Sequence, residues 1–126
     1  MSRAITVASI MVLILAMSFG GIWYSHEVRE EFRSLIAEAH SLAADGDSEG
    51  LGRHTEQMRA RWEEREAILS FYVRHDLLEQ MTQYLINLKG YAATETLASA
   101  QVTLEQMQFL AEHIYERELP NWNNVL

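Results

Sequence analysis

The chain contains no cysteine, which removes disulfide bonds, thiolate nucleophiles and cysteine-based zinc or iron–sulfur centres together. Its fold must be held by packing. Proline occurs once, at Pro120, so from Ser25 onward little interrupts a helix. Cations are scarce: ten Lys and Arg stand against 18 Asp and Glu, giving a net charge of −8. Such a balance repels nucleic acid and anionic headgroups, and no nucleic-acid partner is expected. Chemical motifs are missing too. None of His26, His40, His54, His75 and His113 has a glutamate three residues before it, so the Glu-x-x-His pattern of a bundle-core metal site is absent. No His-Glu-x-x-His, nucleophile elbow or glycine-rich phosphate loop occurs, and the expectation is a non-enzymatic protein with no catalytic, cofactor or metal site.

What the chain does have begins with a long apolar run. Ala4 to Ser25 are 22 consecutive uncharged residues, which as a helix span about 33 Å, the thickness of a bilayer core. Residues 1–25 therefore read as a transmembrane anchor, embedded through residues 4–24, and residues 26–126 as an extracytoplasmic helical domain at the cytoplasmic membrane. Arg3 and the amino terminus mark the cytoplasmic side, the net acidic His26–Glu31 segment the far side, and Trp23-Tyr24 fall where an aromatic belt lies. Gly20-Gly21 either offers a place to bend or is incidental, since glycine is common in membrane spans. The alternative is a signal peptide spanning residues 1–18, because Ala16-Met17-Ser18 has the small-x-small form of a cleavage site. The product would then be a secreted helical protein.

Beyond the run, Val28, Phe32, Leu35, Ala39 and Leu42 recur at gaps of four and three, the stripe of an amphipathic helix. Asp45-Gly46-Asp47 should close it, with Asp47 or Ser48 capping the next helix. A second stripe runs through Leu51, Met58, Trp62 and Leu69, with a charged outer face. Asp76 and Glu79 have the form of a capping box for a third helix. Its stripe is Leu77, Met81, Tyr84, Leu88 and Tyr91, with Leu78, Leu85 and Ala92 beside it, so this helix is expected to be the most buried. A fourth follows from about Thr94 through Leu97, Ala100, Leu104, Met107, Ala111 and Ile114 until Pro120. Phe32, Leu35, Met58, Trp62, Leu88, Leu104 and Met107 are the expected core. The fold class is all-α: an N-terminal transmembrane helix followed by an antiparallel bundle of about four helices, in two hairpins. An offset of 49 residues lays Leu42-Ala43-Ala44 over Tyr91-Ala92-Ala93 and Glu56-Gln57-Met58 over Glu105-Gln106-Met107. That spacing suggests a repeated helical pair, similar to tetratricopeptide stacking.

Two features stand out from this framework. His75 at a helix junction and His113 near the end of the fourth helix are placed for helix-end hydrogen bonding, where the dipole favours a protonated ring; the sharper reading makes them a pH-sensitive pair. Trp122, Val125 and Leu126 form an apolar tail on an acidic chain, which either folds back over the bundle or docks into another membrane protein.

Several features together, the short N-terminal span, Trp62-Glu63-Glu64 followed by Ile68-Leu69, the His75 turn, Phe109-Leu110-Ala111-Glu112-His113-Ile114 and the ending Asn124-Val125-Leu126, resemble the bacterial family catalogued as domain of unknown function 4363. The resemblance implies a small single-pass helical membrane protein of spore-forming Gram-positive bacteria, with no assigned reaction and with polytopic membrane proteins sometimes encoded nearby. The chain departs from the family in its single lysine, Lys89, and in Gly50 and Gly52, which stand where helix formers are usual. These observations lead to an accessory or scaffold protein whose partner is a polytopic membrane protein or a second copy of itself. A ligand-sensing bundle working through a partner is the alternative, since only Met1 to Arg3 would lie inside to carry a signal.

Overall fold

The computed structural model describes residues 2–119. Four helices, α1 (Ser2–Ala44), α2 (Ser48–Leu69), α3 (His75–Ala93) and α4 (Leu97–His113), are followed by a π-helical turn, Ile114–Glu118. No strand occurs among the described residues, so the all-α expectation holds. The expected apolar tail of Trp122, Val125 and Leu126, and the expected helix stop at Pro120, lie outside the described residues.

The apolar run and the first amphipathic stripe are one uninterrupted helix of 43 residues, about 65 Å long at the α-helical rise. Gly20-Gly21 does not break it. Ala4 to Met17 stand exposed, whereas Gly21, Ile22 and Ser25 are already buried. From there the helix turns its Val28, Phe32, Ile36, Ala39 and Ala43 face inward.

Each helix packs on its sequence neighbours and α4 closes against α1, making a closed four-helix ring rather than the open stack that tetratricopeptide-like pairs would form. Short turns force this antiparallel course. At the end of α1, Asp47 N–H donates to Leu42 O (3.0 Å) and Gly46 N–H to Ala43 O (3.2 Å), with Gly46 at φ +75°. This is a Schellman closure, and the left-handed residue it needs is a glycine. Asp47 then caps α2, its carboxylate accepting from Gly50 N–H at 2.8 Å. A Cβ at Gly50 would run into that carboxylate, so glycine there serves the cap. The α3–α4 turn repeats the pattern 49 residues on: Thr96 N–H donates to Tyr91 O (2.9 Å), Glu95 N–H to Ala92 O (3.3 Å), and Glu95 sits at φ +58°. Buried positions repeat at the same offset, Ile36 with Leu85, Ala39 with Leu88, Ala43 with Ala92, Leu51 with Ala100 and Met58 with Met107. The two hairpin turns and part of the buried pattern thus recur at this offset.

Of the expected core, Phe32, Met58, Trp62, Leu88, Leu104 and Met107 are buried, while Leu35 is only partly so and Ile36 takes the central place. In α3 the row taken as lateral, Leu78, Leu85 and Ala92, lies inside with Met81 and Leu88, and Leu77, Tyr84 and Tyr91 form its rim. The helix buries one stripe, as its neighbours do, and is not the most buried. The capping box also fails. Arg74 precedes α3 without a side-chain cap, and the Asp76 carboxylate instead takes two hydrogen bonds from the Arg74 guanidinium, at 3.1 and 2.6 Å.

Candidate functional site

Where α1 leaves its exposed apolar stretch, charged side chains from both neighbouring helices gather on it. Arg29 and Arg33, one turn apart, both donate to the Glu112 carboxylate of α4, at 3.0 Å each. The Arg29 guanidinium lies 4.4 Å from the centre of the Tyr115 ring. On the α2 side Arg65 donates to Glu31 at 2.6 Å and stands 5.4 Å from the Tyr24 ring centre. Two like charges four residues apart on one helix face repel, and Glu30 of α1 hydrogen-bonds Arg33 alone, at 3.4 Å, so a carboxylate bridging both comes from another helix. Glu112 supplies it. Burial pushes the Glu112 carboxyl up, but the hydrogen bonds from Arg29 and Arg33 prevail and hold it below the usual carboxylate range. The Glu31 hydrogen bond likewise raises Arg65 against its partial burial, and the Glu112 hydrogen bond raises Arg29. The collar is not fully satisfied, for Tyr24 Oη, Arg29 Nε, Glu31 Oε1 and Arg65 Nε are buried without a hydrogen-bond partner. It is a clamp that holds α1 from two sides over the three turns beyond the apolar stretch.

Inside the bundle, Trp62 is 2% exposed, meets the Phe32 ring edge-on at 5.6 Å and donates from Nε1 to Thr82 Oγ1 at 2.8 Å. Its indole is core, with its one polar atom satisfied. His54, buried as deeply as the aliphatic core, donates from Nε2 to the Leu35 carbonyl at 2.7 Å, and its Nδ1 faces Glu38 at 3.8 Å. Because a carbonyl only accepts, that contact places a hydrogen on Nε2. Sequence reasoning passed over His54; its position between Leu51 and Met58 on the buried stripe was the available signal.

The histidines singled out from sequence lie elsewhere. His75 opens α3, exposed, with Nε2 2.9 Å from Glu79. It sits at the helix N-terminus, where the dipole disfavours a cation, contrary to the expected helix-end stabilisation. His113 is the last residue of α4, which runs on without a break into the π-helical turn Ile114–Glu118. It borders a shallow groove of about 440 Å³ between α3 and α4, lined by Leu77, Tyr84, Val102, Phe109 and Leu110 with Gln80, Glu105 and Gln106 at its edges. Phe109 is 78% exposed there. Among the described residues no group of three or more His, Asp or Glu converges as metal ligands do.

α1 holds a window of mean hydropathy 2.3, long and apolar enough to cross a membrane, a description that a signal sequence also meets. No curated protein and no solved structure matches the chain. The model of the domain of unknown function DUF4363 matches residues 20–125, from the point where α1 begins to be buried to the end of the tail, and the chain belongs to that family.

Proposed function

We propose that this is a single-pass, membrane-anchored accessory or scaffold protein. It has no enzymatic activity of its own and acts through protein–protein contacts at the outer face of the cytoplasmic membrane, with its N-terminus in the cytoplasm. The observation that carries the reading is the continuity of α1: one helix contains both an exposed apolar stretch of membrane-spanning length and a full wall of the bundle. Confinement to a surface raises effective concentration, so a weak contact suffices. The groove around Phe109 supplies such a contact face on the described residues, and the tail at Trp122, Val125 and Leu126 is proposed to add to it. The partner is a polytopic membrane protein or a second copy. A photo-crosslinking amino acid placed at Phe109 in the intact chain, activated in native membranes, should yield a discrete adduct. Recovery of uncrosslinked monomer alone speaks against the proposal.

The groove equally favours a second reading, a ligand-sensing bundle that signals through a partner. A ligand-dependent rise in thermal stability, without any protein adduct, would select it. Cleavage of residues 1–18 would instead make the protein secreted, and the mass of the mature chain decides that point.

A further inference from the structure

We infer that the α2–α3 turn is a second membrane contact, with Phe71 entering the lipid interface beside the end of the span; the inference rests on the anchored reading above. Phe71 is 84% exposed, more than any other large apolar side chain in the bundle, and Ile68 and Tyr72 beside it are 45% and 43% exposed. The exposure belongs to a built turn. Leu69 and Val73 are buried on either side, at 1% and 5%. The backbone is closed by hydrogen bonds from Phe71 N–H to Ile68 O (3.2 Å), Tyr72 N–H to Leu69 O (2.9 Å) and Val73 N–H to Leu69 O (2.8 Å).

The height of the turn follows from the antiparallel register of α1 and α2. Arg65, near the end of α2, lies against Glu31 and Tyr24 of α1. Six further residues at helical rise put Phe71 level with about residues 18–25 of α1. That is the end of the apolar stretch, where Phe19 and Trp23 are themselves 55% and 67% exposed. An aromatic side chain held at this level faces the region where a bilayer changes from hydrocarbon to headgroup, which aromatic rings favour. The segment from Ala67 to Val73 carries no charge, and the adjoining Arg74 is neutralised by Asp76 at 2.6 Å. The nearest charges are Glu66 before the segment and the Arg74–Asp76 pair after it. Phe109 is similarly exposed but, with Glu112 bound to Arg29 and Arg33, lies about 15 Å further from the span.

The absence of cysteine makes the test direct. Single-cysteine variants Val12→Cys, Phe71→Cys and Phe109→Cys of the full chain, labelled with a nitroxide and reconstituted in phosphatidylcholine vesicles, are compared for access to oxygen and to a water-soluble nickel chelate. The expected order of the oxygen-to-nickel ratio is Val12 highest, Phe71 intermediate and several-fold above Phe109, and Phe109 lowest. A label at Phe71 as nickel-accessible as that at Phe109, while Val12 is protected, overturns the inference and leaves the anchor standing. Nickel access at Val12 overturns the anchor and the inference with it.

Discussion

Replacing Glu95 by glycine should stabilise the bundle, and replacing Gly46 by alanine should destabilise it. Both residues occupy the left-handed position of a Schellman closure, at φ +58° and φ +75°. A side chain with a Cβ pays about 1–2 kcal/mol for that conformation, and glycine returns part of this, about 0.5–1 kcal/mol, as lost chain entropy on folding. The net gain for Glu95→Gly is therefore about 0.5–1 kcal/mol. The Glu95 carboxylate at a helix C-terminus opposes the dipole, adding a few tenths of a kcal/mol when it is removed. Glu95→Ala isolates that electrostatic part, since it keeps the Cβ. For a domain of this size the glycine variant should melt roughly 3–6 °C higher and Gly46→Ala lower by a similar amount. The assay is thermal unfolding of the intact chain in detergent, followed by circular dichroism. Equal melting of Glu95→Gly and Glu95→Ala would refute the argument, because it would mean that the turn does not demand a left-handed residue.

Two further outcomes follow from the collar and the core. The Glu112 carboxyl is held below its ordinary value of 4.5, so its pairs with Arg29 and Arg33 contribute fully above about pH 4.5 and are lost as pH falls through the lower folded value. Glu112→Gln should cost about 1 kcal/mol at neutral pH, and the gap from the parent should close in acid; a gap that stays constant down to pH 3 would contradict the geometry. Trp62→Phe removes the hydrogen bond to Thr82 and part of the ring packed on Phe32, with an expected loss of about 1–3 kcal/mol in denaturant unfolding.

The four stripes of the bundle and the turns between them were legible because they depend on local chemistry: Asp45-Gly46-Asp47 is a closure and a cap in three residues, and the hydrophobic stripes have helical period. The phase of those stripes was less legible. α1 offers Leu35 beside Ile36 and Leu42 beside Ala43, and periodicity alone accepts either row. The structure buries Ile36 and Ala43, the row that continues Phe32 and Ala39. In α3 periodicity admits the row of Tyr84 and Tyr91, yet a phenol hydroxyl prefers a polar partner. Tyr84 accordingly stays at the rim, its hydroxyl accepting from Gln80 at 2.9 Å. The Asp76–Glu79 capping box failed through competition, because Arg74 next door offers the carboxylate a charged, two-pronged donor that backbone N–H groups do not match. The collar could not be read at all, since Glu112 lies 83 residues from Arg29 and only the fold brings them together.

The glycine pair at 20–21 shows how the two halves of α1 are joined. Read from sequence it is either a place to bend or incidental, and a bend there would separate the apolar stretch from the bundle. The structure instead carries the helix through, buries Gly21, Ile22 and Ser25, and returns the Ser25 hydroxyl to the Gly21 carbonyl at 2.7 Å. Immediately beyond, Glu31 is held by Arg65 of α2, and Arg29 and Arg33 by Glu112 of α4. A continuous helix clamped from two sides transmits both tilt and axial rotation. On the anchored reading proposed above, the direction in which the Phe109 groove and the Phe71 turn face follows from the helical phase of the apolar stretch.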